Sequence, residues 1–134
     1  MTGRREELRA GLDAVRGRID AACAAAGRDP AEVTLVVVTK FFPRTDVDVL
    51  HELGVRDVGE NRDQEAAEKL DPRDRPADLT VHFIGQLQSN KAGSVASYAD
   101  VVHSIDRPKL VPALERGAHR AGRRLAGLVQ VNLD

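Results

Sequence analysis

Residues 33–39, VTLVVVT, hold four consecutive aliphatic side chains, Leu35 to Val38, and no charged one. A strand that buries both faces reads this way, and such strands belong to parallel sheets whose crossover helices cover the faces. Shorter strand-like runs recur at Val55–Val58, at LTVHFI, around DVVH and at LAGLVQVN, so strand starts fall about 20 to 26 residues apart. That spacing leaves room for one helix between successive strands and restricts the chain to α/β architectures.

The intervening segments have helical periodicity. Leu8, Leu12, Val15, Ile19, Cys23 and Ala26 form one stripe of a long amphipathic helix that ends at Gly27. Asp29, Pro30 and Glu32 supply a cap, a first-turn proline and a capping-box partner for a brief helical turn. Thr45 can cap a helix carrying Val47, Leu50 and Leu53 that stops at Gly54, and a polar helix follows from about Asn61 to Leu70. Ser89 to Tyr98 reads as a weak, glycine-interrupted helix. Asp106 caps, and Pro108 opens, a helix that presents Leu110, Val111, Leu114 and Ala118 on one face and closes at Gly122.

The expectation is therefore a helix followed by about five parallel strands alternating with helices, the N-terminal part of a (β/α)8 TIM-type barrel. The alternative is an open five-stranded doubly wound sheet. Both place functional loops at the C-terminal ends of the strands. Residues 1–134 read as a single domain, and a chain that stops just after a strand, with no helix to cover it, reads as C-terminally truncated.

Composition excludes more than it selects. A formal net charge of -1, with 42% apolar and 31% charged residues, gives no reason to expect nucleic acid or an anionic membrane as partner. The N-terminus MTGRREELRAG is charged at once and no run approaches the ~20 apolar residues needed to span a bilayer, so the expected location is cytoplasmic. Cys23 is alone and reads as a small core residue. No glycine-rich phosphate loop occurs, and His51, His82, His103 and His119 lack metal-ligand spacing.

The polar residues at the strand ends are Lys40, then Gly59, Glu60 and Asn61, then Gly85, Gln86 and Gln88, then His103, Ser104 and Asp106, and finally Asn132. Lys40 stands out because sixteen of the 20 basic residues are arginines. A guanidinium stays protonated, whereas a desolvated ammonium can lose its proton and become a nucleophile. Alternation puts Val36, Val38 and Lys40 on one side of the first strand, so the amine rises from an apolar wall. The competing reading is a solvated strand end. Glu60 and Asp106 can be read as general bases, Asp106 being better explained as a helix cap. His82 is either a hydrogen-bonded core residue or a ligand contact, and Tyr98, the one tyrosine, sits in the weak fourth helix.

Taken together, VVVTKFFP, VGENRDQEAAEK, VHFIGQLQSNK, VVHSIDRPKL and LVQVN resemble the pyridoxal 5′-phosphate homeostasis proteins (the YggS/PROSC type), themselves similar to the N-terminal barrel domain of alanine racemases. The likeness runs in order from about Val33 to Asn132. It implies pyridoxal 5′-phosphate as cofactor, held as a Schiff base on Lys40, with Asn61 beside the ring. It also implies intracellular cofactor homeostasis, with pyridoxal-phosphate-dependent apo-enzymes as recipients. The family usually has an aromatic after GEN and a tryptophan before HFIG, where this chain has Arg62 and Val81. Family members hold the cofactor phosphate with loops after the last strands, for which this chain has no matching segment. One rival reading is a racemase-like enzyme with Lys40 as base. Another is a non-binding structural remnant that self-associates through open sheet edges.

Overall fold

The structure is a computed structural model that describes residues 2–133. Its five strands are β1 (Val37–Val38), β2 (Asp57–Glu60), β3 (Thr80–Phe83), β4 (Val101–Ile105) and β5 (Ala126–Val129). All neighbouring pairs are parallel, in the spatial order β1-β2-β3-β4-β5. The helices are α1 (Thr2–Ala26), α2 (Arg44–Glu52), α3 (Asp63–Lys69), α4 (Ala92–Ala96) and α5 (Leu110–Ala121).

The sequential order decides between the two expected architectures. A doubly wound sheet reverses its strand order so that helices cover both faces. Here there is no reversal, and crossovers of one hand lay every helix on the same face. The chain is an open arc of the barrel type.

The core lies between the sheet and this helix layer. Val58, Val81, Phe83 and Val102 point into it from the strands and meet Val47 and Leu50 of α2, Ala66 of α3, Ala92 and Val95 of α4 and Leu110 and Leu114 of α5. Each fully buried aliphatic side chain of this size stabilises the fold by roughly 1.5–3 kcal/mol. Val81 is fully buried in this layer.

The opposite face is where expectation and structure part. Residues 33–39 read as a strand covered on both sides, yet only Val37 and Val38 pair as strand, and Val38 remains 46% exposed. As an edge strand, β1 has hydrogen-bonding partners on one side only. β5 is exposed at all four positions.

Turn chemistry was mostly legible. Asp29 Oδ1 accepts the Ala31 N–H at 3.0 Å, and Gly27 and Gly122 take left-handed φ of 66° and 65° at the ends of α1 and α5. Two caps differ. The cap position of α2 is Pro43, two residues ahead of the expected Thr45, and it makes no side-chain cap bond. Asp106 does not cap α5, because its carboxylate accepts from Arg107 Nη1 at 2.6 Å while Arg107 Nη2 donates to Leu87 O at 2.7 Å. The weak fourth helix is a 3-10 turn, Ser89–Lys91, followed by the five-residue α4. A Cβ on Gly117 would lie 2.9 Å from both Ala96 Cβ and Gly93 Cα, so glycine at 117 is what lets α5 approach α4. Cys23 is buried, as read. Among the described residues no helix is long and apolar enough to cross a membrane.

Candidate functional site

The sheet register assembles the site. Val38 pairs with Gly59, and Thr39 N–H donates to Gly59 O at 2.9 Å. On the next pair of strands Gly59 is opposite His82, Glu60 is opposite Phe83, and Ile84 N–H donates to Glu60 O at 2.8 Å. The ladders end there, Val38–Gly59 being the last pair of β1 with β2 and Glu60–Phe83 the last of β2 with β3, so Lys40 and Asn61 follow at neighbouring strand ends.

Lys40 occupies the corner of a four-residue turn. Phe42 N–H donates to Thr39 O at 3.1 Å, closing the turn, and Phe41 in the third position has φ 71°. Positive φ at that position is the mark of a type II turn, where glycine is the usual residue. A phenylalanine there is strained by about 1–3 kcal/mol and persists only if its surroundings fix it. Those surroundings are polar. Phe41 N–H donates to Glu65 Oε1 at 2.7 Å, and Lys69 Nζ donates to Thr39 O at 2.9 Å and Phe42 O at 2.8 Å.

The same Lys69 ammonium lies 2.8 Å from Glu60 Oε2 and 3.1 Å from Glu65 Oε1. Thr39 Oγ1 also donates to Glu60 Oε2. The Lys69 side chain is 7% exposed and that of Glu60 is fully buried. Glu60 thus faces the helix layer and is an ion-pair partner, so it is not placed to act as a general base at the strand ends. Lys40 itself is half-buried. Burial alone would raise the Glu65 carboxyl, but the bonds from Lys69 and the Phe41 N–H outweigh it and hold the group below its ordinary value.

Asn61 is pinned from the other side. A Cβ built on Gly85 would sit 2.6 Å from Asn61 Cβ and 2.9 Å from Asn61 O, so only glycine fits where the β3 segment passes Asn61. The Asn61 Oδ1 atom is buried and has no hydrogen-bond partner among the described residues. Next to it, Asn61, Phe83, Gln86, Leu87 and Lys91 line a cleft of about 310 Å³. Arg62 stands where the family has an aromatic, and its guanidinium carbon lies 4.8 Å from the centre of the Phe41 ring, with Lys40 Nζ at 6.0 Å.

His82 resolves as a structural group. Its Nε2 is 2.8 Å from Asp57 Oδ1 and its Nδ1 is 2.8 Å from His103 Nε2, making a chain of three polar side chains across β2, β3 and β4. Periodicity could not show this, because the partners are 25 and 21 residues away. Ser104 is buried and Asn132 lies three residues beyond β5. Tyr98 is 1% exposed and donates its hydroxyl to Asp63 Oδ1 at 3.0 Å. Lys69 is the important residue that sequence reasoning passed over. A lysine four residues after Glu65, in an arginine-rich chain, was the available signal.

No protein-family model matches the chain. Among curated proteins it is 44% identical over 98% of its length to the pyridoxal phosphate homeostasis protein of Mycobacterium tuberculosis. It is 36% identical over 92% to that of Escherichia coli. It spans 57% and 53% of those two proteins, about half the length of the curated relatives it matches. Among solved structures, a protein of unknown function from Bifidobacterium adolescentis superposes with a TM-score of 0.85 at 33% identity, over 98% of this chain and 57% of that one. PipY of Synechococcus elongatus with PLP bound superposes with a TM-score of 0.70 at 36% identity, over 87% of this chain and 55% of that one. The strand-end motifs, the sequential parallel sheet and these relatives agree: over nearly its whole length the chain is similar to pyridoxal phosphate homeostasis proteins.

Proposed function

We propose that this chain binds pyridoxal 5′-phosphate as a Schiff base on Lys40 and serves intracellular cofactor homeostasis. In that role it buffers the cofactor or delivers it to cytoplasmic apo-enzymes that depend on it, and it does not turn over a substrate. The observation that carries the reading is the meeting of Lys40 and Asn61 at neighbouring strand ends, an amine at a turn corner beyond β1 and, just beyond β2, a buried amide oxygen with no hydrogen-bond partner among the described residues. An acceptor left so costs about 1–3 kcal/mol unless something supplies a donor. That fits a site meant to receive a polar group. PipY, a relative in sequence and fold with PLP bound, supports the same reading.

When bound, the cofactor supplies an aldehyde carbon with which a neutral amine condenses, releasing one water. The chain's own residues do the rest. The Lys40 ammonium would lose one proton to solvent, and the neutral amine would then hold the cofactor at its aldehyde carbon, the two remaining N–H hydrogens leaving with the carbonyl oxygen as that water. Asn61 orients the ring, held by Gly85 behind it, and Phe41 flanks the amine.

The test is spectroscopic. Adding pyridoxal 5′-phosphate to the chain should produce the visible absorbance of a protonated Schiff base, and Lys40→Ala should abolish it. Equal absorbance in both chains would remove Lys40 from the role.

A further inference from the structure

We infer that Lys69 is a positioning residue for Lys40, acting with Glu60 and Glu65 as a buried clamp that holds the Lys40 turn in its strained shape. The inference rests on the Schiff-base reading of Lys40. Lys69 reaches across from the end of α3 and bonds both carbonyls that bracket the turn, Thr39 O at 2.9 Å and Phe42 O at 2.8 Å. Glu65 takes the N–H of the strained Phe41 at 2.7 Å. Glu60 neutralises the ammonium from beneath and ties in the Thr39 hydroxyl. Residues 39, 41 and 42 are therefore all fastened to side chains of β2 and α3, and Lys40 is the one residue of the turn left to project.

A buried ammonium with two carboxylates is a costly way to stabilise a fold, since apolar replacements of similar volume are often neutral or better. Its geometric output explains its presence. The clamp overrides the preference of a phenylalanine for negative φ, and it does so beside the one lysine whose amine must meet an aldehyde in a fixed direction. In the αL conformation a turn without these bonds would relax, and the Lys40 amine would sample many directions.

The test pairs two variants with two readouts. Glu60→Gln with Lys69→Met removes the two most buried charges together and leaves Glu65 with Arg62 at 3.5 Å. Glu65→Ala, at a side chain 25% exposed, removes the Phe41 acceptor and one of the two carboxylates on Lys69, and serves if the double variant fails to fold. The first readout is hydrogen exchange at the Phe41 amide, without cofactor. The second is borohydride trapping of equimolar pyridoxal 5′-phosphate, mapped to individual lysines, with circular dichroism confirming the fold.

The expected result is Phe41 exchange faster by at least about tenfold and Lys40 labelling lower by about tenfold, the value of one hydrogen bond to a charged group. Faster exchange with undiminished Lys40 labelling would overturn the positioning role while leaving the Schiff-base reading intact. Unchanged Phe41 exchange would overturn the clamp itself. Label on Lys91 and Lys109 instead of Lys40 in the unaltered chain would overturn the Schiff-base reading, and the positioning role with it.

Discussion

Gly85 backs directly onto Asn61, so closely that a methyl group at 85 would stand 2.6 Å from the asparagine Cβ. The glycine of HFIG is thereby tied to the asparagine of GEN, two motifs 24 residues apart in the chain that meet at adjacent strand ends. Gly85→Ala must push Asn61 or its backbone aside. The expected cost is about 1–3 kcal/mol of stability, the usual range for overpacking. Thermal unfolding should show it, together with a weaker Schiff-base absorbance. A change under about 0.5 kcal/mol would mean the strand ends are looser than described.

The Asp57–His82–His103 chain predicts a pH dependence with a definite sign. Burial, and then the neighbouring His82 ring, hold the His103 imidazole below its ordinary value of 6.5. The unfolded chain therefore takes up that proton at higher pH than the folded one. Its stabilising contribution is complete above 6.5 and is lost progressively as pH falls through the lower folded value. Denaturant unfolding across pH 5 to 7.5 should show this slope, and His103→Gln should flatten it. An equal slope in both chains would contradict the assignment.

Alanine racemisation should be absent. A racemase needs a base on each face of the substrate Cα, and Tyr98, the one tyrosine of the chain, is committed elsewhere. It is buried with its hydroxyl on Asp63, and burial followed by the Asp63 charge pushes its pKa above the ordinary value. Retention of the alanine α-proton in deuterated water, with cofactor present, is the expected reading. Exchange that disappears in Lys40→Ala would show that the chain is an enzyme.

The two sheet edges predict association of the 134-residue chain. Val38 at one edge and Leu128 and Val129 at the other are 46%, 50% and 75% exposed, and both edge strands offer unpaired backbone groups. Sedimentation should find dimers or larger species at micromolar concentration, with Val129→Lys shifting the balance toward monomer. A compact monomer that unfolds cooperatively would contradict this.

The element order and the Lys40 and Asn61 positions were legible in the sequence because they rest on local patterns. Examples are the apolar runs, the glycine stops at 27, 54 and 122, and motif likeness. What was illegible depends on partners far apart in the chain. Lys69 looked like an ordinary residue of a polar helix until the fold brought it under the Thr39 and Phe42 carbonyls, 30 and 27 residues away. Asp106 looked like a cap because nothing local shows that Arg107, anchored on Leu87 O, would take its carboxylate. VTLVVVT looked covered on both faces because hydrophobicity records what a strand can bury, and the covering layer lies outside the pattern.

The central claim is that Lys40 alone among the four lysines is poised for the aldehyde. Lys69 is locked by two carbonyls and two carboxylates, Lys109 is exposed just ahead of α5, and Lys91, which lines the Asn61 cleft, is exposed on the Ser89–Lys91 turn. The most direct measurement is borohydride reduction after adding equimolar pyridoxal 5′-phosphate, followed by peptide mapping of the fixed adduct. The account predicts the label on Lys40, and recovery mainly on Lys69, Lys91 or Lys109 would contradict it.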